Sequence, residues 1–197
     1  MTTLTLQPDE TTGLDTFTDY YNATTNYATN AVLHLGDSGG WPQTALLTFS
    51  GLSAILPTAI ITSATLTLYL ATKGRNSTLY AYGLLRNWVE SEATWNIYST
   101  GNAWQTVGGT GALDRDAAAV GSVAISSTGA KDIDVTALVQ AWVNSGRANY
   151  GFSLNEVYTS NNTYNDYVSS SGATSTQRPK LVVEYILGGQ VIIWSEQ

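Results

Sequence analysis

The chain contains no cysteine and a single histidine among its 197 residues. The lack of cysteine excludes disulfides, thiolate metal ligands and cysteine nucleophiles. The single histidine, His34, is the only imidazole from which a serine-type catalytic triad can be built. It lies in a predicted strand, and we interpret it as a cross-strand or solvent-facing residue. These absences favour binding or assembly over catalysis.

Charge is also scarce. Charged residues make up 12% of the chain, and the net charge is −7. The eight lysines and arginines are scattered singly and cannot neutralise a phosphate backbone, so we expect no nucleic-acid partner. Anionic membranes are disfavoured for the same reason, and no stretch is apolar enough to predict a membrane span. Thr, Ser, Asn and Gly must therefore cover the surface, as in many extracellular or particle-borne β proteins.

The N-terminus has little that resembles a targeting signal. Residues 1–8 contain neither a basic region nor a long apolar stretch, so we predict no signal peptide in the chain as given. We expect an extracellular or virion-surface location. Lysis, by which assembled virus particles leave a cell, is one route that needs no signal.

What the sequence has in abundance is apolar/polar alternation broken by turn residues. The alternation is clearest in residues 64–70, where one face is apolar and the other is mostly Thr, as in a strand covered on one side. We predict an all-β fold, a jelly-roll β-sandwich with one short α-helix. Strands are predicted at residues 4–6, 31–35, 44–49, 60–70, 78–85, 150–157 and 180–186.

The helix is predicted from one apolar stripe at helical spacing. Asp134 or Thr136 offers a side-chain oxygen at its start, and Gly146 is expected to end it. The stripe consists of Val135, Leu138, Val139, Trp142 and Val143.

Three segments show no regular period, and we predict them to be irregular. Residues 8–30 are expected to wrap a sheet edge, residues 86–121 to form a long excursion, and residues 159–177 to form a polar loop.

We predict a single domain over residues 1–187, followed by an apolar tail over residues 188–197. The tail contains Val191, Ile192, Ile193 and Trp194, a short apolar strand with no place in a completed sandwich. An exposed strand of this kind promotes aggregation, so we predict that a neighbouring subunit covers it and that it acts as a docking or assembly strand. Folding back onto its own domain is the alternative.

Six short motifs, taken in order, resemble the DNRLRE-domain modules, which are related to alginate-type carbohydrate-binding modules and to disaggregatase-related repeats. They are SATLTLY (63–69), WVE (88–90), ATW (93–95), DVT (134–136, with Trp142), NYGF (149–152) and RPKL (178–181). The resemblance implies a jelly-roll sandwich without an active site, usually attached to secreted or cell-surface proteins. It also implies that Trp88, Trp95 and Trp142 fill the core. Where the family commonly has an arginine opening a strand, this chain has Gln43, so a ligand role of that arginine does not transfer.

Acidic side chains offer two kinds of site. Paired carboxylates at Glu90/Glu92, Asp114/Asp116 and Asp132/Asp134 are the type that a glycosidase uses, but such pairs are common on acidic surfaces, and we predict no enzyme.

Asp9, Asp15 and Asp19 lie in an Asn- and Thr-rich stretch that can add further oxygen ligands for Ca²⁺. We therefore consider a structural calcium ion that braces this segment, with solvated turn residues as the alternative. No cofactor is required.

Aromatic side chains give the clearest indication of a ligand, because their planes stack on the C–H faces of sugars. The candidates for glycan binding are Trp41, Trp104, Tyr158 and Tyr164, within a wider set that includes Tyr20, Tyr21, Tyr27 and Tyr167. Their alternative role is to anchor loops.

Two functions remain open. The first is a non-enzymatic attachment protein that decorates or assembles into a larger extracellular particle, such as a phage capsid, tail or filament. Its partners are protein subunits of the same or a larger assembly. The second is a carbohydrate-binding module that recognises a polysaccharide. We favour the first, because it accounts for the apolar tail and the missing signal, and a glycan-binding surface is compatible with it.

Overall fold

A computed structural model of the chain describes residues 1–9, 11–37, 41–144, 146–157 and 163–188. Within these residues it contains thirteen β-strands and one α-helix. The predicted all-β sandwich with one short helix is therefore confirmed. No helix in the described part of the chain has the length and apolar character needed to cross a membrane.

The strands follow one another along the chain with mostly short connections. They are β1 (Thr2–Leu6), β2 (Leu14–Asp19), β3 (Val32–Asp37), β4 (Pro42–Thr48), β5 (Ile60–Thr72), β6 (Ser77–Gly83), β7 (Ile97–Ser99), β8 (Asn102–Ala103), β9 (Gly121–Ile125), β10 (Gly129–Asp134), β11 (Phe152–Val157), β12 (Thr163–Val168) and β13 (Lys180–Ile186). The helix, α1 (Thr136–Val143), lies between β10 and β11. Strands β7 and β8 form a small separate sheet.

The other eleven strands form one antiparallel sheet that curls over on itself. One layer has the order β2-β4-β11-β6-β9, and the facing layer contains β10, β5, β13 and β1. Strands β12 and β3 connect the layers, because β12 pairs with β5 and β3, and β3 pairs with the start of β4. Inward-facing side chains from both layers make one hydrophobic core.

Strand β5 is the longest and contributes most to this core. Ala64, Leu66, Leu68 and Leu70 are buried, whereas the residues between them are only partly covered. Full burial of a leucine side chain is worth about 1.5–3 kcal/mol, so four alternating positions are enough to hold the strand in register. The apolar/polar alternation in the sequence of β5 thus corresponds to side chains that point alternately into the core and away from it.

Helix α1 covers one end of the sandwich. The side chain of Gln140, in the middle of the helix, donates to the carbonyl oxygen of Ala59 (3.1 Å) and accepts from the N–H of Ile61 (2.7 Å). These two hydrogen bonds attach the helix to the start of β5. The predicted apolar stripe is buried at Val135, Leu138, Val139, Trp142 and Val143. The helix ends at Val143, before the predicted Gly146, and Asn144 closes it by donating its N–H to the carbonyl oxygen of Gln140.

All three segments predicted to be irregular contain strands. Residues 8–30 include β2, residues 86–121 include the short β7 and β8, and residues 159–177 include β12. Strands β9 and β10 lie largely or wholly where no strand was predicted. The predictions for β2 and β12 are wrong because buried polar side chains disguise the strands. Thr16 and Thr18 in β2 and Asn165 in β12 have no exposed surface at all. Asn165 Oδ1 accepts from the N–H of Gly74 (2.8 Å), a partner that lies 91 residues away.

Residues 84–116 cover the outer face of the layer that contains β4. A second, smaller core forms there from Leu46, Leu84, Trp88, Ala93 and Trp104. The segment is ordered around the carboxylate of Asp114, which is fully buried and accepts from the N–H groups of Gln105 (2.9 Å), Thr106 (2.9 Å) and Gly111 (3.2 Å). Arg86 donates to the same carboxylate (3.3 Å). One side chain thus satisfies four donors of an otherwise irregular segment.

Replacing Asp114 by alanine is expected to lower the free energy of unfolding by about 3–5 kcal/mol, because it leaves buried N–H groups and the Arg86 guanidinium without an acceptor. Chemical denaturation followed by tryptophan fluorescence measures the change. The control is Asp132→Asn, which alters a carboxylate whose hydrogen bond to Thr67 lies at the surface. That substitution should cost no more than about 0.5 kcal/mol. Equal effects of the two substitutions would contradict the role assigned to Asp114.

Candidate ligand-binding cleft

A cleft opens where β2 and β3 leave β4. Gln43, at the start of β4, pairs with Asp19 of β2 on one side and with Gly36 of β3 on the other. The cleft consists of two adjoining cavities of about 330 and 210 Å³. Asp19, Gln43 and Tyr164 line both cavities, so these three residues form the shared floor and wall.

The outer part of the cleft is aromatic. Trp41, Tyr21 and Tyr164 line it with exposed fractions of 39%, 71% and 42%. Trp41 packs against Tyr20 with ring centroids 5.0 Å apart and meets Tyr21 edge-on at 5.6 Å. Tyr20 in turn contacts the buried Trp95 (5.6 Å). The Trp41 ring is therefore supported through Tyr20 by the buried Trp95.

The inner part of the cleft is lined by Phe17, Tyr27, Asn30 and His34. Phe17 and Tyr27 stack with their ring centroids 4.1 Å apart, and the His34 ring meets Phe17 edge-on at 4.9 Å. His34 Nδ1 lies 2.6 Å from a carboxylate oxygen of Asp166, the residue directly opposite it on β12. The prediction of a cross-strand His34 is confirmed.

Polar groups form the floor of the cleft around Asp19. One oxygen of its carboxylate accepts from the N–H of Tyr21 (3.1 Å) and from the amide of Gln43 (3.4 Å), and the other accepts from Asn22 (2.7 Å). Burial and the nearby Asp19 carboxylate raise the pKa of Tyr27, whose hydroxyl also donates to Asp19 (3.5 Å). Gln43 Oε1 is buried and has no hydrogen-bond partner among the described residues. An unpaired buried acceptor of this kind calls for a functional explanation.

The structure brings together only part of the predicted glycan set. Trp41 and Tyr164, which are 123 positions apart in the sequence, share one cavity. Trp104 does not belong there: it is 5% exposed, lies in the second core, and donates its indole N–H to the carbonyl oxygen of Thr94 (2.9 Å). Its ring faces are covered by protein, so it anchors the irregular segment. Tyr158 lies outside the described residues.

Gln43 and Asn30 are cleft residues that the sequence analysis did not assign to a site. The one available signal was the departure from the resembled family, in which an arginine commonly stands where this chain has Gln43. Gln43 is also unusual as a buried amide at the start of a strand, but burial is not readable from the sequence. Asn30 carried no local signal.

The three aspartates predicted as calcium ligands do not form one site. Asp15 and Asp19 are both on β2, and four residues of a strand separate them by about 13 Å. Asp9 accepts from the hydroxyls of Thr11 (2.7 Å) and Thr12 (2.9 Å) in its own turn. In the described part of the chain, no group of three or more His, Asp or Glu side chains is placed to hold a metal ion. Each aspartate instead serves a separate hydrogen-bonded structure.

Asp15 fastens β2 to the segment that follows β12. Its carboxylate accepts from the N–H (2.7 Å) and hydroxyl (3.0 Å) of Ser170, while its own N–H donates to Glu90 (2.8 Å). Burial raises the pKa of Asp15 to about 6, because these hydrogen bonds only partly offset the loss of solvent and Glu90 adds like charge.

The carboxylate pairs considered for glycosidase chemistry hold other parts of the fold. Glu90 binds the backbone of β2, Glu92 accepts from the N–H of Thr100 (2.7 Å), and Asp116 pairs with Arg147 (2.8 Å). Asp114 orders the irregular segment, as described above. None of these four, nor Asp132 or Asp134, is among the described residues that line the cleft.

A second exposed surface lies where β5 begins and β13 ends. Ile60 pairs with Ile186 there, and these two residues together with Leu56 and Leu187 are 41–61% exposed. We call these four residues the apolar patch. Strand β1 is the outermost strand of the adjoining sheet and pairs with β13. The predicted tail residues Val191, Ile192, Ile193 and Trp194 lie outside the described residues.

Comparison with protein families identifies a match to the disaggregatase related repeat domain over residues 18–183. The matched range is well over half of the chain, beginning in β2 and ending in β13. It includes Asp19, Trp41, Gln43 and Tyr164 of the cleft. No curated protein matches the sequence.

The raised pKa of Asp15 predicts a pH dependence of stability. The unfolded chain loses this proton near pH 3.8 and the native protein near pH 6, so the free energy of unfolding should fall as pH rises through this window and level off above it. The loss amounts to about 3 kcal/mol. Asp15→Asn removes the titration while keeping one acceptor and one donor for Ser170. Denaturation between about pH 3 and pH 7 should show wild type losing about 3 kcal/mol relative to the variant, and parallel curves would contradict the assignment.

Proposed function

The chain belongs to the disaggregatase related repeat family, and we propose that it is a non-enzymatic attachment module that holds a polysaccharide in the cleft between β2 and β3. The observation that carries this proposal is the aromatic wall of Trp41, Tyr21 and Tyr164 above the buried polar floor of Asp19 and Gln43. The finer kinship with DNRLRE and carbohydrate-binding modules is part of the proposal, as is a location on an extracellular or virion surface.

The aromatic wall suits a sugar because its rings are both exposed and held in place. Sugar rings present flat C–H faces, and tyrosine and tryptophan offer large rigid planes for them at small cost in conformational entropy. The cavity of about 330 Å³ at Trp41 is at the lower end of the range for small-molecule sites, so it accommodates a short stretch of a polymer. The remainder of the polysaccharide would run across the open rim.

The polar floor supplies the directional contacts that stacking lacks. Asn30 and His34 offer polar groups to sugar hydroxyls at the inner end of the cleft, and Tyr164 adds a hydroxyl group to both cavities. Asp19 already accepts from Tyr21, Asn22, Tyr27 and Gln43, and it gives the floor its negative charge. Because the hydrogen bonds from Tyr21 and Asn22 already fix Asp19, its position does not depend on the ligand. Such preorganisation lowers the entropy cost of binding.

A role without catalysis is supported by how the candidate catalytic groups are used. His34 lies against Asp166, and the carboxylates at positions 90, 92, 114 and 116 each bind a backbone or arginine partner of the fold. A glycosidase needs two carboxyl groups that flank one scissile bond. The carboxylates of the pairs 90/92 and 114/116, which the sequence suggested as catalytic groups, instead make hydrogen bonds or ion pairs that stabilise the fold.

Trp41→Ala should weaken polysaccharide binding at least about tenfold, corresponding to about 1.4 kcal/mol, because it removes the largest exposed plane of the cleft. Affinity electrophoresis against a panel of neutral and acidic soluble polysaccharides, followed by calorimetry on those that bind, measures the change. Tyr69→Ala is the matched control, since Tyr69 is a half-buried aromatic residue on β5 away from the cleft. If wild type binds nothing in the panel, or if both variants lose affinity equally, the proposed function is wrong.

The apolar patch favours assembly with another protein subunit as a second candidate function. Leu56, Ile60, Ile186 and Leu187 expose apolar surface at the point where the chain continues toward residues 189–197. Strand β1 lies beside it at the end of the sheet, and an end strand can pair with a strand from another subunit. We propose that the patch and the tail of residues 188–197 together dock the protein to a second copy of this chain or to a larger particle, such as a capsid, tail or filament.

Light scattering over a range of concentrations tests the assembly of copies. The full chain should associate, whereas a chain ending at Leu187, and one carrying Ile60→Lys with Leu187→Lys, should remain monomeric. Val107→Lys is the control, because Val107 is similarly exposed (47%) but lies in the 84–116 segment. A full chain that stays monomeric at every concentration would show that self-association through this patch is wrong.

A further inference from the structure

We infer that the cleft selects an uncharged, hydroxyl-rich saccharide and rejects chains that carry uronate carboxylates. The inference rests on the proposed function and concerns the ligand of the same site. It follows from the charges and hydrogen-bonding groups that the fold places on the cleft floor.

The floor of the cleft carries negative charge. Asp19 is 7% exposed and lines both cavities, and its hydrogen-bond partners Tyr21, Asn22, Tyr27 and Gln43 are all neutral. Asp166 lies behind the cleft and is paired with His34 (2.6 Å), so the negative charge that a ligand meets is chiefly that of Asp19. In a site partly shielded from water, charges interact more strongly than in bulk solvent. A uronate seated against Trp41 would meet like charge here.

The Gln43 amide has one favourable orientation against Asp19. The Asp19 carboxylate can only accept hydrogen bonds, so Gln43 turns its Nε2 toward Asp19. Asp19 also accepts from Tyr21, Asn22 and Tyr27. The donor group of Gln43 is therefore engaged with Asp19 and is not directed at a ligand. A uronate carboxylate can only accept, so it finds no partner in these two floor side chains.

Lysine and arginine are absent from the described lining residues of both cavities. The stretches 38–40 and 158–162 contain no Lys or Arg in the sequence either. Arg75 packs against Gly36 of β3, but it is buried (6% exposed) and lines neither cavity. Proteins that hold carboxylate ligands usually supply arginine for this purpose.

The test compares each of several polyuronates with its own carboxyl-reduced form, which keeps the backbone and linkages and removes only the charge. Neutral polysaccharides complete the panel. At low ionic strength, every reduced polymer that binds should bind at least tenfold more tightly than its uronate parent, and the difference should shrink as salt is added. A polyuronate that binds as tightly as its reduced form overturns the inference while leaving the proposed function intact. Binding of no polymer at all overturns both.

Two variants that each add one positive charge test whether the selectivity arises in the cleft. Tyr21→Lys adds a cation at the cleft wall, where the wild-type side chain is 71% exposed. Leu113→Lys adds the same charge at a 58% exposed position in the 84–116 segment. Tyr21→Lys should bind polyuronates about tenfold more tightly than Tyr21→Gln, which removes the same ring without adding charge, and Leu113→Lys should leave wild-type affinity unchanged within about twofold. Equal gains in both variants would mean that the net charge of the protein discriminates, and would overturn the assignment to the cleft.

Discussion

Carboxylates that accept backbone N–H groups hold this sandwich together where its regular strands end. Asp114 orders the segment over β4, Asp15 joins β2 to the residues after β12, and Asp19 fixes the turn at Tyr21. With no cysteine and only 12% charged residues, the chain has neither disulfides nor extensive ion pairs with which to secure long connections. A buried carboxylate can satisfy several N–H groups at once, which makes it an effective substitute.

The cleft is a consequence of the same arrangement. Strands β2 and β3 pair with the start of β4 from its two sides and share Gln43 as a pairing partner, and the sheet leaves a gap between them there. Asp19 is needed to hold the turn beyond β2, and its carboxylate therefore stays at the bottom of the gap. Trp41 and Tyr164 come from the ends of two connections that open onto it. A structural requirement thus places a negatively charged floor beneath an aromatic wall.

Prediction from the sequence was most successful where the pattern was local. The alternation in β5 and the apolar stripe of α1 are complete within one element, because burial of one face leaves a period of two or of 3.6 residues. It failed for β2 and β12, whose Thr16, Thr18 and Asn165 look solvent-exposed but are fully buried, and it also missed β7, β8, β9 and β10. For Trp104 the sequence left glycan binding and loop anchoring open, because it does not indicate whether an aromatic ring in an irregular segment points into a core or into solvent. The structure shows loop anchoring. Of the cleft, Trp41 and Tyr164 were found by residue type alone.

The sequence by itself determined the all-β class, most of the strands and the helix, because these depend on interactions between near neighbours along the chain. Only the tertiary structure decided which side chains share a site. The contacts that build the cleft and its supports join residues far apart in the sequence, such as His34 with Asp166 (132 positions) and Asp15 with Ser170 (155 positions). Such pairings arise when the sheet closes on itself. Closure produces no periodic pattern in the sequence around either residue of a pair. For that reason Asp19 looked like a metal ligand in the sequence and is the floor of a cleft in the folded protein.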